Sequence, residues 1–406
     1  MPDRLIGLFL SALILVSGAF GASKSQVLHA QGIKFKVLHH FTGGKDGFYI
    51  PGGLVKDRHG NLYGIAVTHY WGSEYGLLFE LKRIGRGYKF RVLYNFDRSD
   101  GFNCYGTPAP DKHGNLLGLC TFGGRYETGT LWKYSRSGHF TVLHDFTNAD
   151  GAVAQDTVDV DDLGNIYGTS FEAGPDGGGT LWQYSPSSRS FNVLHGFSNG
   201  DDGGGLQAGP RIDVKTGVVW GTTRYGPNCT YCGNGTVWSY DPSSRVFRTV
   251  VDFESIGILD AESRLILDAQ DNVFGTAWGA QGVQDSCGVV YELRRNGSNY
   301  APTILHQFLD NNGDGCSLFG RVRFDDSGNL LGTTYAGGEF NAGTVFKLKH
   351  RDGEWQEEIL HSFDFSDGWG PQSGLKTDHK GNWFGTTAYG GQYNRGTVFE
   401  ISRVQP

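Results

Sequence analysis

The chain is poor in what long helices are built from. Only 19% of its residues are charged and it has a single Met, against 64 Gly in 406 residues. That excludes helical bundles and coiled coils, which draw on Ala, Glu, Lys and Leu. No run of Lys and Arg exists and the formal net charge is −7, so no nucleic-acid surface is expected. Apart from Leu5 to Phe20 there is no long apolar run. A Gly-x-Ser-x-Gly elbow, a His-Glu-x-x-His helix and a phosphate loop with its Lys are missing too, which removes the commonest hydrolase, zincin and nucleotide signatures. Disorder is excluded by the 14% aromatic content. Abundant Gly beside abundant Phe, Tyr and Trp describes short strands joined by tight turns.

The apolar run follows Arg4 and ends in Ala19-Phe20-Gly21. This reads as an export signal over 1–21, followed by a short segment, 22–33. The run is too short for a span of roughly 20 residues. No second apolar run appears before the chain stops at Pro406. A secreted or periplasmic, soluble, monomeric protein with no membrane contact after cleavage is expected.

Self-similarity dominates the rest. Gly60-Asn61-Leu62-Tyr63-Gly64 recurs as Gly164 to Gly168 and Gly381 to Gly385, with weaker copies ending at Gly118, Gly221, Gly275 and Gly332. The period is about 53 residues, repeated seven times. Gly-Thr-apolar-aromatic follows each copy, as in Gly129-Thr130-Leu131-Trp132 and Gly396-Thr397-Val398-Phe399. Val-Leu-His-x-Phe comes next, as in Val142 to Phe146. With a fourth run near Leu54, each unit holds four strands, A to D. Such units bury their faces only against one another, which predicts an all-β, seven-bladed propeller of four-stranded blades over 34–402, with a tail at 403–406. A linear solenoid is the alternative, but its repeats are usually shorter and need caps. Lys34 to Phe41 is a D strand without A, B or C, and the last unit has A, B and C without D. The first strand is therefore expected to close the last blade and leave no open sheet edge.

The Gly-Asn-Leu-Tyr-Gly and Gly-Thr-Val-Phe elements resemble the GloVer-type tandem repeats of exported bacterial proteins. The likeness spans nearly all of Lys34 to Ser402. It implies an exported repeat protein and supplies no catalytic residues. The Asp-x-x-Gly-Asn turns are more weakly similar to those of streptogramin-lyase-like propellers.

Candidate sites follow from the topology. The D–A and B–C loops share one end, here the upper face. Arg and aromatic residues on the B–C loops, namely Tyr70, Trp71, Arg125, Tyr126, Arg224, Tyr225 and Trp278, suit sugars or anions through stacking and bidentate hydrogen bonds. Because an aromatic follows strand B in all seven units, blade-to-blade packing explains much of this ring. Asp156, Arg211, Glu262, Arg264 and Arg321 vary between units near strand A; facing the channel, they are acid/base candidates. Five histidines, His39, His144, His195, His306 and His361, share one repeat position and read as structural, each held by a neighbouring turn. Asp310, Asn312 and Asp314 open a calcium-loop pattern, although Arg321 stands where its twelfth-position Glu belongs. No other cofactor is expected. Six Cys in an exported chain point to disulfides: Cys104 with Cys120, Cys287 with Cys316, and Cys229 with Cys232, half of a zinc site being the rival for the last pair. The reading is a binding module for an extracellular glycan or protein on the loop face, or else a secreted lyase or hydrolase of glycans with its site at the channel.

Overall fold

The computed structural model describes residues 28–30, 32–68, 76–227, 233–283, 285–309, 313–351 and 353–403. Among them there is no α-helix, only a 3-10 turn at Phe253–Ile256. Seven sheets each carry four antiparallel strands in the order A, B, C, D. In blade 1 these are Val55–Lys56, Leu62–Ala66, Leu77–Ile84 and Gly87–Asn95. The chain is a seven-bladed β-propeller.

Closure occurs as the sequence requires. Ile33–His40 pairs antiparallel with Thr397–Arg403, placing Phe35 opposite Ile401 and Val37 opposite Phe399. The segment ahead of it adds something the repeat pattern does not contain: Leu28–His29 runs parallel to strand D of blade 6, Glu354–Ser362. Blade 6 thereby has five strands.

The two repeat motifs are one device. The last Gly of the strand-B motif lies directly across from the aromatic of the strand-C motif, as Gly118 with Trp132, Gly168 with Trp182 and Gly221 with Trp238. A Cβ on Gly168 would sit 2.1 Å from Trp182 Cζ2. Only Gly leaves room for the ring, which is why Gly and aromatic recur together. The rings are fully buried and reach toward the preceding blade, so the main core is divided into clusters lying between adjacent blades, one at each of the seven seams. The A–B turns are equally uniform. Asp57 Oδ1 accepts from the His59 and Asn61 amides at 2.9 and 2.8 Å, and Oδ2 from Asn61 Nδ2 at 2.8 Å; Asp111, Asp268 and Asp378 repeat this.

The recurrent histidines belong to the seams between blades. His39, His144, His195 and His361 contact Asp46, Asp150, Asp202 and Asp367 of the following D–A loop at 2.8 to 3.2 Å. A face of each ring stacks on an aromatic from strand D of the next blade: Phe90, Phe191, Phe247 and Phe35 at 3.7 to 4.5 Å. Tyr94, with Asp100 and Phe140, builds the same arrangement in blade 1. Each ring thus joins its own loop to the neighbouring sheet, and the structural reading of these histidines holds for these four.

Candidate functional site

In every blade the D–A loop pairs with the B–C loop, as Phe48 with Val67, Phe102 with Phe122 and Trp369 with Tyr389. Both loop sets therefore meet at one end. There the starts of all seven A strands surround a cavity of about 420 Å³ at the mouth of the central channel. Its wall includes Tyr49, Tyr105, Gln155, Gln207, Phe319 and Gln372, together with Asp156, Glu262, Arg264 and Arg321. Four of the five channel candidates meet here. Arg211 is the fifth and lies farther in, 3.5 Å from Asp159 Oδ2.

The charges are unequal in their commitments. Asp156 Oδ2 accepts from the Gly209 amide at 2.8 Å, which ties blade 3 to blade 4. Arg264 reaches Asp159 at 2.7 Å and donates to the Pro210 carbonyl at 2.8 Å. Arg321 forms no ion pair, and no side-chain hydrogen bond is present for it among the described residues; its stem lies against Gly374, whose Cβ would fall 2.6 Å from Arg321 Cγ. Burial, then the nearby Arg323 and Arg264 guanidiniums, hold Arg321 well below the usual arginine range. Deeper, burial followed by Arg264 and Arg211 brings Arg323 down to about 10. Lys376 falls to about 8, again through burial first and then Arg323 and Arg321. Arg323 Nε is buried without a hydrogen-bond partner among the described residues. Four arginines and a lysine are thus gathered with Asp156 and Asp159 as the facing acids. Such a cluster lowers its energy by taking up an anion.

Glu262 is the other unusual group. Its side chain is 5% exposed, and its carboxylate lies 2.9 Å from Arg224 Nε. Burial pushes the carboxyl up to about 7, although Arg224 opposes the shift. Arg224 also lies 3.6 Å from Asp260 and over the Tyr225 ring. It holds Glu262 rather than projecting freely from its loop.

The remaining upper-face candidates divide. Trp278 is edge-on to Phe319 at 5.0 Å, and Phe319 to Tyr335 at 5.3 Å. Trp369, Tyr389 and Tyr49 extend this chain of rings around the mouth. These aromatics pack blade on blade. Tyr126 is 49% exposed with Arg125 over its ring, so this pair stands out into solvent. Tyr70 and Trp71 lie outside the described residues, as do Cys229, Cys232, Asp310 and Asn312. Two of the disulfides are present, Cys104–Cys120 and Cys287–Cys316. Asp314 is described and its carboxylate turns inward, to His306.

Sequence reasoning missed Asp159, Arg323 and Lys376. The signal was available, since each occupies the strand-A position that Arg211 holds in blade 4.

The repeat unit decides the relationship. A family model described as the Gloeobacter/Verrucomicrobia repeat matches residues 72–283 and 263–405. The chain belongs to the Gloeobacter/Verrucomicrobia repeat family. No curated protein matches it in sequence. Among solved structures, this repeat-family chain is similar to PorZ, a surface component of the type-IX secretion system of Porphyromonas gingivalis, at TM-score 0.52 and 12% identity, over 88% of this chain and 47% of PorZ. It is also similar to a GH74 xyloglucanase from Xanthomonas campestris, at TM-score 0.50 and 14% identity, over 80% of this chain and 56% of that one. At such identities the likeness concerns the propeller fold alone. No helix among the described residues is long and apolar enough to cross a membrane.

Proposed function

We propose that this protein is an exported binding module whose channel mouth takes a small anionic group, such as the carboxylate, sulfate or phosphate of an acidic glycan. The observation that carries this reading is Arg321: a guanidinium in the cavity wall that makes no ion pair among the described residues and is crowded by Arg264 and Arg323. An anion there would form bidentate hydrogen bonds in a low-dielectric mouth. Tyr105, also on the cavity wall, suits the flat face of a sugar ring. Disulfides accord with an oxidising compartment.

The test is a binding screen of the mature protein against uronate, sulfated, phosphorylated and neutral oligosaccharides. Binding of acidic members, weakening with salt, is expected. Arg321→Gln should reduce affinity at least tenfold, while Arg136→Ala and Arg189→Ala at distant C–D turns leave it unchanged. Equal binding by Arg321→Gln, or preference for neutral glycans, would refute the channel-mouth reading. If instead Tyr126→Ala alone abolished binding, the outer loops would be the site.

One observation supports a catalytic second reading. Glu262 shares the cavity with two arginines and has its carboxyl raised to about 7, which is where a general acid or base works best. On a carboxylated glycan, arginines that hold the carboxylate and a carboxyl that exchanges a proton would serve a lyase or hydrolase. Product analysis of any bound oligosaccharide, with Glu262→Gln as the inactive control, separates the two readings.

A further inference from the structure

The seam between blades 5 and 6 departs from the five that stack an aromatic; between blades 4 and 5 the same positions hold Val251 and Pro302. In those five, the aromatic that stacks on the preceding blade's ring stands four residues before the histidine position of its own strand D: Phe35, Phe90, Phe140, Phe191 and Phe247. In blade 6 that place is taken by Glu357, four residues before His361. The ring it faces is His306, whose loop partner is Asp314. A carboxylate therefore sits where five seams place phenylalanine, and it adds a third ligating group to a histidine–aspartate pair.

We propose that His306, Asp314 and Glu357 form a binding site for one divalent transition-metal ion of the zinc class. Their ligating atoms lie within 4.8 Å of one another. His306 Nε2 is 3.4 Å from Asp314 Oδ2 and 3.8 Å from Glu357 Oε2. Zinc bonds of 2.0 to 2.1 Å in a tetrahedron set ligand atoms roughly 3.3 Å apart, so rotamer-sized shifts complete the geometry. The Glu357 side chain is 6% exposed, and its Oε1 has no hydrogen-bond partner among the described residues; neither has His306 Nε2. A buried carboxylate in place of a stacking ring is costly unless something binds it. Imidazole with two carboxylates suits zinc and its neighbours, whereas calcium prefers oxygen ligands throughout. The site joins two blades, so an ion there would act as a staple between strand D of blade 5 and strand D of blade 6.

The other seams supply the decisive variant. Glu357→Phe restores the residue used at five of them and removes one ligand without demanding a new kind of packing. Chelator-stripped mature protein is dialysed against zinc alone and its metal content measured, with thermal unfolding followed in parallel. The wild type should retain one more equivalent than Glu357→Phe and melt higher with zinc than without it. The variant's affinity at this site should fall at least tenfold and its melting temperature should not respond. Equal zinc content in both proteins, or a wild type that takes up none, would overturn the proposal. If Glu357→Phe fails to fold, Glu357→Gln preserves the side-chain size and must show the same loss; full retention by it refutes the site. Calcium displacing zinc from this equivalent would refute the assignment to the zinc class.

Discussion

Blade 7 is completed by the first strand of the propeller, and this closure can be perturbed in graded steps. Phe41 follows that strand, is wholly buried, and packs with Leu54, Phe79 and Val398 in the cluster between blades 7 and 1. Phe41→Ala should cost about 3 to 5 kcal/mol. With an unfolding entropy of roughly 2.1 cal/mol/K per residue over some 370 residues, that lowers the melting temperature by about 4 to 6 °C. Phe146→Ala, at the matching position far from either terminus and equally buried, should cost the same if the closing strand is bound as firmly as a continuous one. Deleting residues 22–41 goes further. It removes Phe35, Val37, Leu38 and Phe41, together worth roughly 6 to 10 kcal/mol, and leaves Thr397–Arg403 as an unpaired edge. That is comparable with the whole stability of a typical domain, about 5 to 15 kcal/mol. Circular dichroism melting and size-exclusion chromatography of the mature protein measure both effects. The deletion should give aggregates or an unfolded chain. A monomeric deletion variant melting within about 2 °C of the parent would refute closure through this strand, and a neutral Phe41→Ala beside a costly Phe146→Ala would show a loosely held one.

Two other outcomes follow from the same geometry. Gly168→Ala drives a Cβ into Trp182 and should destabilise by about 1 to 3 kcal/mol; in a Trp182→Leu background the added cost should shrink, and denaturant titration showing strict additivity would exclude the cross-strand explanation. Glu262 holds its proton more tightly folded than unfolded, because burial raises its carboxyl to about 7 from an ordinary 4.5. Its contribution is thus greatest below about 4.5 and is lost as pH rises towards 7, by about 3 kcal/mol. Relative to Glu262→Gln, the wild type should lose that much between pH 4 and 8 in chemical denaturation, and a pH-independent difference would contradict the buried, shifted carboxyl.

Much of this molecule was legible in the sequence because repetition converts local patterns into global architecture. Seven copies of a strand-rich unit, a lone D strand at one end and a missing D at the other leave few alternatives to a closed ring. The glycine and aromatic of each copy could be seen to recur, but their role needed the cross-strand register that sets Gly168 against Trp182. The disulfides at Cys104–Cys120 and Cys287–Cys316 were likewise legible, since both partners fall in loops that one topology brings to one end.

What separates scaffold from site was decided by tertiary structure. Arg264, Arg321, Arg323 and Lys376 are scattered over more than a hundred residues of sequence, and only the ring of inner strands makes them mutual neighbours. Arg224 looks in sequence like an exposed loop cation, yet it is spent on Glu262. Glu357 looks like a surface acid on an outer strand. It stands four residues before His361, where other copies hold phenylalanine, but its meaning depends on the facing blade, which brings His306 and Asp314 to it. Sequence periodicity specifies which positions repeat. Charge and ligand chemistry depend on distances across seams, and those distances exist only once the ring has closed.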